Sequence, residues 1–225
     1  MTGSDAVSLT VDGLLLDCDG VLVDSHNAAA VAWNLWAKRW APGFDFHRDV
    51  EHGRRIADLV SELVSAPSDV AAATAELTQQ ELDHASDVIP IPGARRLLES
   101  IPRGSWAVVT SGGRAIATAR MASAGLAAAD ILVTGDDVAR GKPFPDPYLL
   151  AAQRLGVAPQ RCAVFEDAPA GITAARAADV TTIIGVGEVA ATGRVTAAVA
   201  DLRGVRFDGR HLRVDASALL SPDGG

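Results

Sequence analysis

Lysine is almost missing from this chain. Of 20 basic residues only two, Lys38 and Lys142, are lysine; the rest are arginine. An Arg- and Ala-rich composition of this kind is what base-composition bias in a coding sequence produces, so a lysine at a chemically demanding position carries more weight than usual. Cysteine is as scarce. Cys18 and Cys162 both fall inside apparent buried strands, where a thiol serves as a small hydrophobe. A disulfide between them stays open from sequence, and a cytosolic setting disfavours it. Positive charge is in deficit, with a net charge of −8, which argues against nucleic acid or an acidic membrane as partner. No apolar run approaches the ~18 residues needed to span a bilayer. The first six residues hold neither the basic region nor the apolar core of a secretory signal. The expectation is a soluble cytoplasmic protein, monomeric by default, with no internal repeat and no low-complexity segment.

What is present suffices for a packed core. The 225 residues are 48% hydrophobic and 21% charged, with mean hydropathy +0.19, enough for one α/β domain with an insert or for two modest domains. The most informative stretch is Leu14-Leu15-Leu16-Asp17-Cys18-Asp19-Gly20. Three leucines read as a strand covered on both faces, and Gly20 supplies the turn that ends it. Spacing i, i+2 in extended chain points Asp17 and Asp19 to one side. Two such anions repel unless a cation or a shared proton compensates. The carboxyl end of a strand is also where open α/β sheets keep their ligands.

Residues 25–86 read as helical. Trp33, Trp36 and Trp40 recur on one helix face, which suits a small helical core better than an aromatic wall over a ligand. Pro42-Gly43 ends that helix, and further helices are expected over 55–64 and 70–85. The stiff run Ile89-Pro90-Ile91-Pro92-Gly93 marks a boundary. Beyond it strands (106–110, 131–134, 162–165, 181–186) alternate with helices (94–99, 114–124, 148–155, 171–178). That pattern predicts a Rossmann-like parallel sheet. The expected organisation is an α/β core of residues 1–24 and 90–225 with an α-helical cap of residues 25–89. Residues 205–214 read as a hairpin about Asp208-Gly209.

Three more polar clusters fall near expected strand ends. Thr110-Ser111-Gly112-Gly113 offers hydroxyls and backbone N–H groups to an anion, although the same residues also suit a helix N-cap. Lys142 stands among Pro143, Pro145 and Pro147, rigidly presented as a point charge for phosphate. Glu166-Asp167 closes an apolar strand, with Asp167 alternatively the N-cap of the helix that Pro169 starts.

Together these residues resemble the haloacid dehalogenase superfamily phosphatases, in the β-phosphoglucomutase-like branch with an α-helical cap and nearest its sugar- and polyol-phosphate phosphatases. Asp17-Cys18-Asp19-Gly20-Val21-Leu22-Val23-Asp24-Ser25 matches the first family motif, Thr110-Ser111-Gly112 the second, Gly141-Lys142-Pro143 the third and Glu166-Asp167 the fourth. The resemblance implies Mg²⁺-dependent hydrolysis of a small phosphorylated metabolite. Asp17 would be the nucleophile and Asp19 the general acid and base. Asp17, Asp19, Glu166 and Asp167 would hold the metal. Thr110, Ser111, Gly112 and Lys142 would grip phosphate, with Thr110 preferred over Ser111 as the second-motif hydroxyl. His52, Arg54 and Arg55 are the cap candidates for substrate. A mutase of the same branch is the rival reading. It is disfavoured because Ala29 stands where the mutases' histidine would fall, and because the insert's one lysine, Lys38, precedes the Gly53 motif. Asp19 and Glu166-Asp167 speak against the single-aspartate dehalogenases. The setting of Lys38 speaks against the phosphonate-cleaving branch, and the intact acids against a non-catalytic phosphometabolite sensor.

Overall fold

The structure is a computed structural model that describes residues 5–188 and 194–220. Its centre is a six-stranded parallel sheet built from β2 (Gly13–Leu16), β5 (Trp106–Val109), β6 (Leu132–Val133), β7 (Cys162–Glu166), β8 (Thr182–Val186) and β9 (Ala197–Val199), in the order β6-β5-β2-β7-β8-β9. Parallel strands need both faces covered. Leu14 and Leu16 accordingly join one apolar cluster and Leu15 the other, all three fully buried. On Leu15's face lie α7 (Asp146–Leu155) and α8 (Pro169–Ala177). The opposite face meets α5 (Ala94–Ser100), α6 (Arg114–Ser123) and a second, antiparallel sheet. That sheet contains the expected hairpin, β10 (Val205–Phe207) and β11 (His211–Asp215), paired Val205 with Val214 and Phe207 with Leu212. Its third strand, β1 (Asp5–Thr10), adds to β11 and had no counterpart in the sequence reading.

After β2 the chain leaves the sheet through β3 (Val23–Asp24) and returns through β4 (Ile89–Pro90), and these two segments pair with each other. Between them lie α1 (His26–Trp40), α2 (Phe46–Asp49), α3 (Ile56–Leu63) and α4 (Val70–Asp83) around their own apolar cluster. Trp36 is fully buried there and donates its indole N–H to the Ala73 carbonyl at 2.9 Å, the core role its helical spacing implied. Strand β2, the first of this sheet in chain order, sits between β5 and β7, so later connections run to opposite sides of it. Its carboxyl end is therefore the topological switch point of the sheet, where a crevice opens.

Candidate active site

Asp17 and Asp19 follow β2 directly. The strand ends at Leu16, and Asp19 already bridges to Val23 in the turn beyond it. Both side chains line one partly enclosed cavity of about 120 Å³, together with His52, Arg54, Thr110, Ser111, Gly112 and Asp167. Gly20, at φ +76°, closes the turn; a Cβ there would collide with the Asp167 carboxylate. The same holds for Gly171, where a Cβ would overlap the Glu166 carboxylate. At Gly20 the first acidic motif thus approaches Asp167 of the fourth across backbone that carries no side chain.

Lys142 is 1% exposed. Its ammonium donates to Asp17 Oδ1 at 2.9 Å, to Glu166 Oε1 at 2.6 Å and to the Val109 carbonyl at 3.0 Å. All three N–H groups are thereby used, as a buried ammonium requires. Burial disfavours the charged form of Lys142, but Asp17 and Glu166 outweigh it and hold its pKa above the usual lysine value. Glu166 is saturated as well. Tyr148 donates its hydroxyl to Oε1 at 2.5 Å, and the backbone N–H groups of Asp167 and Ala168 donate to Oε2 at 3.1 and 3.2 Å. The Asp167 carboxylate receives no protein donor among the described residues. Helix α8 is capped at Ala168 without a side-chain bond, so the capping role that sequence allowed Asp167 does not hold.

Three ligand atoms, one each from Asp17, Glu166 and Asp167, lie within 4.8 Å of one another. Burial pushes the Asp17 carboxyl up to about 7, with Glu166 and Asp19 adding to the rise against Lys142. Asp167 is raised well above its usual range by burial and then by Glu166 and Asp17. One ammonium does not balance this much negative charge. An all-oxygen donor set of crowded carboxylates fits a hard divalent cation and not zinc or copper.

Asp19 is held differently. Its Oδ1 accepts from Ser25 Oγ at 2.6 Å and from Arg120 Nη1 at 2.8 Å. Ser25 precedes α1 but gives it no side-chain cap, because its hydroxyl is turned to Asp19. Thr110 is 2% exposed and accepts the Gly112 N–H at 3.0 Å, so the Gly112 amide expected to face phosphate is already engaged. Ser111 donates its hydroxyl to the Gly53 carbonyl at 2.6 Å, which joins the β5–α6 turn to the helical segment.

The three residues expected to meet substrate part company. His52 lines the cavity and stacks on His26 with ring centroids 4.5 Å apart. Burial, then His26 and His47, lowers its pKa to about 4, so it is neutral at neutral pH. Arg54 also lines the cavity, paired with Glu51 at 2.8 Å and Glu62 at 2.5 Å. Arg55 is not in its lining. It forks onto Asp58 at 2.8 Å through two nitrogens and reaches the Val138 carbonyl at 3.0 Å, pinning α3 to the loop before Lys142. Sequence reasoning missed Ser25, Glu81, Arg120 and Tyr148. Two of them left a trace: Arg120 falls on the stripe Ile116, Ala117, Met121, Ala124, and Glu81 on the stripe Ala73, Leu77, where a charge is out of place.

Comparison with known proteins agrees with this geometry. The family model for haloacid dehalogenase-like hydrolases matches residues 11–179. The hexitol phosphatase A of Escherichia coli K12 is 41% identical over 170 residues, covering 74% of this chain and 79% of that protein. The fructose-1-phosphate phosphatase YqaB of the same organism is 37% identical over 172 residues, covering 74% and 92%. A β-phosphoglucomutase from Clostridium difficile superposes with a TM-score of 0.74 over 88% of this chain and 94% of its own, at 21% identity, and so speaks for the fold alone. With a family match spanning the acid-bearing strand ends and relatives this similar, the chain belongs to the haloacid dehalogenase-like hydrolases.

Proposed function

We propose that this protein is an Mg²⁺-dependent phosphatase that hydrolyses a small phosphomonoester of a sugar, polyol or related alcohol through a phosphoaspartate on Asp17. The observation that carries the reading is the convergence of Asp17, Asp19, Thr110 and Asp167 on one cavity, with Lys142 bonded to Asp17. The similarity to sugar- and polyol-phosphate phosphatases supports the substrate class. We assign residues 25–89 as the cap, the segment set off by the paired strands β3 and β4.

Lys142 occupies Asp17 Oδ1 and leaves the other oxygen for attack on phosphorus. The P–O bond to the alcohol breaks, and Asp19 gives its proton to the departing oxygen. Asp19 then takes a proton from water as that water displaces Asp17 from phosphorus. Thr110, whose oxygen accepts from Gly112, keeps its own hydroxyl proton for a phosphate oxygen, whereas the Ser111 hydroxyl is spent on Gly53. This favours Thr110 as the phosphate-binding hydroxyl. Asp17, Asp167 and the Asp19 carbonyl would hold Mg²⁺, with Glu166 orienting Lys142 beside them. When bound, the ion supplies the positive charge that lets a carboxylate approach a phosphate dianion. His52 and Arg54 are positioned to meet the alcohol, while Arg55 tethers cap to core. Against the mutase alternative stands Ala29, which lines the cavity with a methyl group where matching the first motif would put the mutases' histidine.

The test is phosphate release across a panel of sugar and polyol phosphates with Mg²⁺, for wild type and Asp17→Asn. At least one substrate should be hydrolysed by wild type and lost in the variant. Equal rates on every substrate would end the phosphatase reading.

A further inference from the structure

Arg120 lies within α6 and is 5% exposed. A guanidinium so buried is stable only when its charge is paired. Its two partners come from different parts of the chain. Nη1 donates to Asp19 Oδ1, next to β2, and Nη2 donates to Glu81 Oε2, on α4 of the helical segment. Glu81 is itself 4% exposed, and its other oxygen accepts the indole N–H of Trp33, on α1, at 2.8 Å. Asp19, Glu81, Arg120 and Trp33 all line the cavity.

The consequence for Asp19 is geometric. Ser25 and Arg120 both donate to Oδ1, so that oxygen is an acceptor only and a carboxyl proton must sit on Oδ2. Oδ2 faces the β5–α6 turn: a Cβ placed on Gly112 would stand 4.0 Å from it and 3.4 Å from Thr110 Oγ1. The pair of donors thus aims the proton-bearing oxygen at the position where Thr110 would hold phosphate. Ser25 alone is a single rotatable hydroxyl. The planar guanidinium, fixed at its far end by Glu81, is the rigid member.

We propose that Arg120 is a positioning residue for the acid–base carboxyl of Asp19, and that Glu81 makes this positioning depend on the helical segment being docked on the core. The proposal rests on the phosphatase reading above. When α4 moves away it takes Glu81 with it, and Arg120 loses the partner that fixes its orientation. Proton transfer from Asp19 is then available only over a covered substrate.

Leaving-group dependence tests this, because proton donation matters for an alkoxide and little for a phenolate that leaves as an anion. Arg120→Lys keeps the charge but cannot fork onto two acids. With Mg²⁺, its kcat/KM, which reports phosphoryl transfer to Asp17 and departure of the leaving group, should fall by about 10²-fold on an alkyl phosphate and less than about threefold on p-nitrophenyl phosphate. On p-nitrophenyl phosphate kcat and KM should fall together, because Asp19 is also the base for hydrolysis of the phosphoenzyme. Glu81→Gln, which keeps an acceptor for Trp33, should show the same split at smaller size and guards against misfolding of the lysine variant. Equal losses of kcat/KM on both substrates in the folded variants, or no loss, would overturn the role of Arg120. Asp17→Asn separates the two readings: if it remains active the phosphatase reading itself fails, whereas an inactive Asp17→Asn beside an unsplit Arg120→Lys sinks only the positioning role.

Discussion

Two buried cations in this protein are held by the same plan. Lys142 is shared by Asp17 and Glu166, with the Tyr148 hydroxyl donating to Glu166. Arg120 is shared by Asp19 and Glu81, with the Trp33 indole donating to Glu81. In each, one carboxylate follows β2 and a second, buried one is held as a counter-ion by an aromatic donor. The difference is where the parts come from. Every member of the Lys142 cluster belongs to the α/β core, whose strands are fixed by ladder bonds. The Arg120 cluster draws Asp19 and Arg120 from the core but Glu81 and Trp33 from the inserted helices. The first can be permanent; the second exists only when the two segments meet. A nucleophile needs a constant environment, and a proton donor gains from one that is completed late.

Lys142→Met breaks the core cluster outright and should have the largest effect. It strands Asp17 and Glu166 without a cation, a loss of about 3–5 kcal/mol in unfolding free energy by denaturant titration. Arg120→Met should cost less in the same titration, because only one of its two carboxylates, Glu81, is left buried, whereas the Asp19 side chain is 31% exposed and can be rehydrated. Equal costs would mean that the two clusters are not distinct in kind.

The proposed metal would sharpen the contrast, since its three candidate ligands include two carboxylates of the core cluster, Asp17 and Glu166. Asp17 rises from 3.8 to about 7 in the folded chain without an ion. Between those values the folded state binds the extra proton, so this group's contribution to stability falls as pH rises through the window. Mg²⁺ favours the ionised carboxylate and competes with that proton. At 100 times its dissociation constant the ion should add about 2.7 kcal/mol at pH 8, and clearly less of a Tm shift at the same concentration at pH 5.5. A shift independent of pH would place the ion elsewhere. The smallest effect belongs to an exposed pair within the helical segment. Arg39 and Glu76 meet at 2.8 Å with the arginine side chain 67% exposed, and Arg39→Ala should change stability by less than about 0.5 kcal/mol.

The asymmetry between the clusters also explains what could be read from sequence. Asp17, Lys142 and Glu166 announced themselves because each follows an apolar strand or stands in a proline frame. The parallel sheet between residues 106 and 186 was legible from strand–helix alternation. Arg120 and Glu81 left only a trace, a charge on an apolar helix stripe, and neither partner can be named until the opposing surface is known. Tyr148 was passed over because an aromatic on a helix is ordinarily core, and here it is core with a hydroxyl aimed at Glu166. Arg55 was grouped with Arg54 because neighbours in sequence share a motif. The start of α3 sends one to the cavity and the other to the loop at Val138. Strand β1 escaped because its partner β11 lies some 200 residues away and nothing local signals the pairing.

The division of labour between Asp17 and Asp19 is the centre of this account, and one measurement addresses it directly. Asp19→Asn, mixed with p-nitrophenyl phosphate and Mg²⁺, can expel the phenolate without an acid but has no base to activate water. Intact mass spectrometry after acid quench should find one phosphoryl group on the protein, hydroxylamine-labile and mapped to Asp17. Wild type should show little of it at steady state, and Asp17→Asn none. A phosphoryl group on any other residue, or turnover by Asp19→Asn without a trapped intermediate, would contradict the assignment of the two aspartates.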